Sequence, residues 1–349
     1  MTVSEPQRKP GPAAVRVMPY HEALLAFLRA QQPELWVWFA SGRPRSGDAA
    51  AERLELLKAT YRLDRDTHGA LNDTAASVAR QLAVDAPVTL YQAQGAVVPN
   101  LSLVYIPGEA HVVLHGGVQA LLGEAEWHAV LAHEIAHFLF LERWDSQYRI
   151  LSELLAALCN DRNADTSHVE SHRLFSLYTE IVCDRASLDV TGDLGSAVGG
   201  LVKLTTGLAE VSPDSYLRQA QEIVAAGRTK AEGTYHPETF IRVRGLQLYS
   251  ERGRDADMDI ATLIEGQDEL ERLDLLAQDR VADCTRRLVD RILGESWMRS
   301  DPNLAHARLY FDGYSPPAGG SDVSSVAADL ARGDDKLLDY YAYVLLDFV

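Results

Sequence analysis

The sequence predicts an α+β fold that is mostly helical, with a small β-sheet, an H-E-x-x-H helix and an all-helical C-terminal region. Three observations predict it. Between about 85 and 117 the texture turns to short β-branched or aromatic runs bounded by Pro and Gly, "APVTLYQAQ", "LSLVYIPG" and "EAHVVLHGG", the pattern of strands. From Glu124 to about Arg143 a nearly all-apolar segment carries His133, Glu134 and His137, with apolar residues on every face, as in a buried helix. From 251 to 349, runs such as "ELERLDLLAQDRVADCTRRLVDRIL" repeat apolar residues at helical spacing.

In chain order, residues 1–15 are rich in Pro and charge and are expected to form a disordered tail. "PYHEALLAFLRAQQPELWVWFA" reads as helix up to Pro33, followed by a short apolar stretch, and "SGRPRSGDAA" reads as a loop. "AERLELLKATYRL" and "THGALNDTAASVARQLAV" read as two helices before the strands. After the His-Glu-His helix come "SQYRILSELLAALCND" and a third helix from about Ser167 to Val190, which Gly192 stops. Helical segments continue to about 250, and "SPPAGGSD" at 315–322 breaks the acidic C-terminal region. The expected organisation is a tail (1–15), a main domain (16–250) and a helical accessory region (251–349).

Composition narrows the function. The 349 residues carry a formal net charge of −17, which repels phosphate backbones and excludes nucleic acid as the expected partner. Hydrophobic and charged contents of 47% and 24% are those of a soluble globular protein. No uncharged apolar run reaches the roughly 18 residues of a transmembrane helix, and the N-terminus has no apolar signal core. A cytoplasmic location is expected. The three cysteines show no C-x-x-C spacing, so neither a disulfide framework nor a cysteine zinc site is indicated.

Buried histidines and acids are costly unless something satisfies them. H-E-x-x-H on a helix sets two imidazoles one turn apart, able to grip one zinc ion, with the glutamate beside the metal's water. The competing reading is two helix histidines satisfied by core carbonyls or water. A hydrolytic site needs a third protein ligand and an open position. Glu180, in "LYTEIVCDRASL", is the candidate, and Asp184 lies one turn on, placed to hold the outer nitrogen of a ligand histidine. His172 is a rival ligand and His168 a weaker one. Phe140 and Arg143 stand where the metzincin pattern needs Gly and His, which excludes that pattern. In "TYHPETFIRVRGLQLY", His236 and Arg242 open a helix and are candidates to meet a developing oxyanion.

Taken together, these stretches resemble the HtpX-like and CAAX-prenyl-endopeptidase family of gluzincin zinc metallopeptidases. The matching residues are His133, Glu134 and His137, then Glu180 and Asp184, then His236, Pro237 and Arg242, over roughly residues 85 to 250. Cys183 stands where the family's second motif has Ala, and the transmembrane helices or signal of many members are absent. The resemblance implies a gluzincin core with one zinc per chain held by His133, His137 and Glu180. Glu134 would be general base, Asp184 a support for a ligand histidine, and His236 or Arg242 the oxyanion partner. It implies a peptide or protein substrate added to the sheet edge, expected within 109–115. The expected activity is a zinc endopeptidase, open or held latent by the 42–52 loop or the C-terminal region until a partner acts. The opposing class is a regulatory or adaptor protein that uses the zinc fold as scaffold and binds its partner through the C-terminal helices.

Overall fold

The structure, a computed structural model, describes residues 15–42, 49–162, 164–227, 230–317 and 324–349. Most of the expected tail (1–14), residues 43–48 of the expected loop and 318–323 of the C-terminal break lie outside them. Val15, assigned to the tail, is buried.

Proline starts the first two helices, α1 (Pro19–Gln31) and α2 (Pro33–Ala40), because its φ suits a first turn that needs no N–H. The apolar stretch after Pro33 is thus a helix. After α3 (Ala49–Ala59) the chain enters β1 (Thr60–Arg62) at once, where the sequence reads as continued helix. Thr60 and Tyr61 favour a pleated strand, and β1 pairs antiparallel with β2 (Val88–Ala93) beyond α4 (Gly69–Gln81).

β3 (Asn100–Ile106) and β4 (Glu109–His115) form a hairpin turned at Gly108, whose φ is +78°. The sheet order is β1-β2-β4-β3, with β2 and β4 parallel and Val88 opposite Ala110. This corrects one expectation. The strand within 109–115 is not an edge: β4 is paired on both sides and its middle residues are all buried, as in interior strands. The edges are β1 and β3.

The remaining elements are helices: α5 (Glu124–Glu142), α6 (Gln147–Asn160), α7 (Thr166–Thr191), α8 (Leu194–Thr206), α9 (Pro213–Ala225), α10 (Thr239–Arg252), α11 (Asp257–Glu265), α12 (Leu275–Leu293), α13 (Asp301–Tyr310), α14 (Ser324–Leu330) and α15 (Asp335–Leu346). α7 ends where expected: Gly192, at φ +63°, returns its N–H to the Leu188 carbonyl at 2.7 Å. Among the described residues no helix is long and apolar enough to cross a membrane.

The chain divides into two compact units, Met1–Leu154 with Leu174–Ile264, and Leu155–Arg173 with Glu265–Val349. This division differs from a single cut at 250, because 155–173 groups with the C-terminal helices and 251–264 with the sheet. In the first unit α5 packs on β3 and β4 and against α8, and α10 packs on α8 and α9. Ala129, Leu188, Val198, Leu201, Val243 and Leu246 form a core cluster that joins α5, α7, α8 and α10. In the second unit α12 is the central helix, with Cys284 and Leu288 against Val326, Leu337 and Tyr341. Asp274 caps α12 by accepting the Ala277 N–H at 2.8 Å.

Candidate metal centre

α5 starts where Gly123 donates its N–H to the Glu126 carboxylate at 2.7 Å, and Glu124 and Glu126 favour the positive helix end. Its apolar faces are spent on packing: Leu131, Ala132, Ile135, Ala136 and Phe140 are fully buried. What remains is one side, on which His133 and His137 sit one turn apart. Across from it, α7 carries Glu180 and Asp184, one turn apart and buried.

The three groups converge. His137 Nε2 lies 3.2 Å from His133 Nε2 and 3.2 Å from Glu180 Oε1, and His133 Nε2 lies 3.5 Å from Glu180 Oε2. Among the described residues these three form the group whose ligand atoms all fall within 4.8 Å of one another, so they can hold a metal ion. His168 and His172, the rivals, are not members of it. No residue from 251 onward belongs to it either.

Around this group lies a set of supporting contacts. His133 Nδ1 is 3.0 Å from Asp184 Oδ1, where an imidazole N–H donates to a carboxylate and turns Nε2 toward the centre. Arg242 donates to both Asp184 oxygens, from Nε at 2.8 Å and Nη2 at 2.6 Å, and its Nη1 lies 3.3 Å from Glu180 Oε2. Arg242 Nη2 also approaches His133 Nδ1 at 3.4 Å, a longer and weaker contact than the one with Asp184. The guanidinium is buried and committed to two carboxylates. That geometry ties Arg242 to Asp184 and Glu180, a bracing role for the metal group beside the oxyanion contact expected of it from sequence, and Arg242 also lines the cleft over the centre.

With the histidines counted as neutral, as metal ligands are, Glu134, Glu180 and Asp184 carry three carboxylates against one guanidinium, a formal charge of −2. Burial pushes the carboxyls of Glu180 and Asp184 up, and Arg242 and the histidines overcome it, holding both below the usual carboxylate range. Burial likewise pulls His133 down, but hydrogen bonds to Asp184 and Glu180 outweigh it and raise its imidazole to about 10. The centre is built to attract positive charge. The neighbouring Cys183 thiol is buried and pushed up, hence inert.

A cleft of about 560 Å³ opens over the centre. Glu134 lines it with the three ligand candidates, and so does the β3 edge from Asn100 to Leu103. His236 sits at its mouth, 66% exposed, with Nδ1 3.3 Å from Glu180 Oε1, and the contact with Glu180 raises its imidazole pKa. Its turn is tight: a Cβ on Gly233 would fall 1.9 Å from the His236 carbonyl oxygen, so only glycine fits there. Ala197, Leu201 and Leu204 of α8 also line the cleft. Gly233, the β3 edge and the α8 wall were not read from sequence. The "EGTYHP" turn was the one local signal.

Compared with known proteins, the chain matches no family model, no curated protein and no solved structure.

Proposed function

We propose that the chain is a zinc-dependent endopeptidase built on a gluzincin-type core, as its resemblance to the HtpX-like and CAAX-prenyl-endopeptidase family implies. One observation carries the reading: three ligand atoms meet at metal spacing in the same cleft that Glu134 lines. Two ligands of a tetrahedral zinc, each about 2.0–2.1 Å from the ion, lie about 3.3 Å apart. The three edges here are 3.2, 3.2 and 3.5 Å. Two imidazoles and one carboxylate are the donor set of a catalytic zinc, and a dication cancels the formal −2 of the surroundings. His133, His137 and Glu180 would therefore hold one zinc per chain.

Zinc in such a site lowers the pKa of water toward about 7 and polarises a carbonyl. The rest falls to the chain. Glu134 takes the proton of the attacking water and returns it to the leaving amine. His236 donates to the oxyanion from the mouth of the cleft. Asp184 orients His133, and Arg242 holds Asp184 and Glu180 in place. The substrate is a peptide or protein segment that runs along β3 and pairs its backbone with that edge of the sheet.

The regulatory or adaptor reading draws on the second unit, which has its own core and leaves Tyr343, Leu346 and Val349 exposed. Glu134 favours the enzyme, since a scaffold has no use for a base in the cleft. Glu134→Gln separates the two. The wild type should cleave an unstructured protein, and the variant should lose activity by on the order of 10²–10⁴-fold at equal metal content. Equal cleavage by both proteins would remove Glu134 from its role. No cleavage by either would leave the scaffold, or a peptidase held latent until a partner acts, as the reading.

A further inference from the structure

The cleft carries a selectivity of its own. Outside the Glu134, Glu180, Asp184 and Arg242 cluster, no Lys, Arg, Asp or Glu among the described residues lines it. Its walls are apolar side chains such as Leu103, Val130, Leu141, Leu201 and Leu204, with Ser102 and Thr205 between them. On these walls, away from that cluster, an anionic substrate side chain would lose its hydration without gaining a partner, whereas an apolar one loses nothing.

The lip of the cleft repeats the theme. Val97 and Val98 are adjacent and stand 86% and 72% exposed, and Val98, Pro99 and Asn100 continue directly into the cleft wall. Single exposed apolar residues are ordinary, but an exposed pair continuous with a cleft marks a contact surface. The backbone of the pair is closely packed. Gly116, at φ +56°, lies beneath it, and a Cβ there would meet Val97 O at 2.7 Å, Val98 C at 2.8 Å and Pro99 N at 2.9 Å. Backbone packs on backbone, with no side chain between. Gln92 Nε2 donates to the Gly116 carbonyl at 3.1 Å and fixes this glycine in turn.

We infer that the Val97–Pro99 lip, propped by Gly116, is a specificity-determining element that admits an uncharged, apolar stretch of extended polypeptide. This inference rests on the peptidase reading for what the cleft does with such a stretch, but its own claim concerns binding. Val98 supplies the contact and Gly116 is a positioning residue that sets where Val98 stands.

The test is fluorescence anisotropy on the full chain in a Glu134→Gln background, so that nothing is consumed. The probes are a short fluorescein-labelled peptide of Ala, Leu, Val and Thr, and a twin with Asp in place of two Leu. The apolar peptide should bind more tightly than its twin. Val98→Asp should weaken its binding roughly tenfold, the loss of one half-covered apolar side chain plus an unpaired charge, while Val98→Ile retains it. Gly116→Ala should weaken it with metal content unchanged. The inference is overturned if Val98→Asp binds like its parent, if Val98→Ile loses as much as Val98→Asp, or if the twin binds as well as the apolar peptide. Hydrolysis by the wild type without any preference between the peptides would overturn it too, while leaving the peptidase reading intact.

Discussion

Two of the histidines that the first unit covers with protein are treated in opposite ways. His21, on α1, is completely buried among the rings of Phe140, Tyr148, Phe175 and Tyr178. Its Nδ1 accepts the Met18 N–H at 3.3 Å, and Nε2 lies 3.3 Å from the Phe175 carbonyl and 3.2 Å from Thr179 Oγ1. Burial drives its pKa down to about 3, with the Phe175 bond opposing weakly. His133, also largely covered, is driven up to about 10 because its neighbours are Asp184 and Glu180. Burial alone therefore makes a neutral core histidine that the backbone satisfies. Two carboxylates turn the same side chain into part of a cation site. The competing reading of the H-E-x-x-H pair, a satisfied core histidine, is realised in this protein, at His21.

The largest effect that would sharpen this contrast is in acid. The folded chain refuses a proton on His21 until about pH 3, whereas an unfolded histidine takes one near pH 6.5. Between those values the unfolded state binds more protons, so stability should fall with pH across that window, by up to about 5 kcal/mol from this group. Tyr148, whose ring stands beside it, is pushed up to about 12 by burial and does not ionise there. Denaturant unfolding from pH 7 to 3 should show a steeper loss for the wild type than for His21→Gln. Parallel slopes would mean that His21 is protonated in the fold and that the contrast is false.

A smaller effect is expected at the carboxylate side. Asp184→Asn removes the acceptor that orients His133 and should weaken zinc affinity by about 10–100-fold, read by competition with a chelating dye. Unchanged affinity would show that Asp184 serves Arg242 alone.

How much of this was legible follows from how local each signal is. Helical periodicity placed His133 and His137 on one side of α5, and Glu180 and Asp184 on one side of α7, from four-residue spacings within single segments. Whether a strand is an edge is a property of its neighbours, so β4 was mistaken for one. Its unbroken "HVVLH" was the available hint of an interior strand. β1 was lost because three residues after a helix carry too little pattern to stand against it. Arg242 was legible as a site residue but not its partners, since Asp184 lies 58 positions away. Gly116 was silent because the backbone that crowds it, Val97 to Pro99, is brought there by tertiary folding, whereas Gly233 is crowded within its own turn by His236.

The central claim is that α5 and α7 together make one metal centre from His133, His137 and Glu180. The direct test is metal content per chain, by plasma mass spectrometry, for the wild type, Glu180→Ala, His172→Ala and His21→Gln after zinc loading and desalting. About one zinc per chain is expected in the wild type, in His172→Ala and in His21→Gln, with most of it lost from Glu180→Ala. A full complement of zinc in Glu180→Ala, or its loss from His172→Ala, would contradict the assignment.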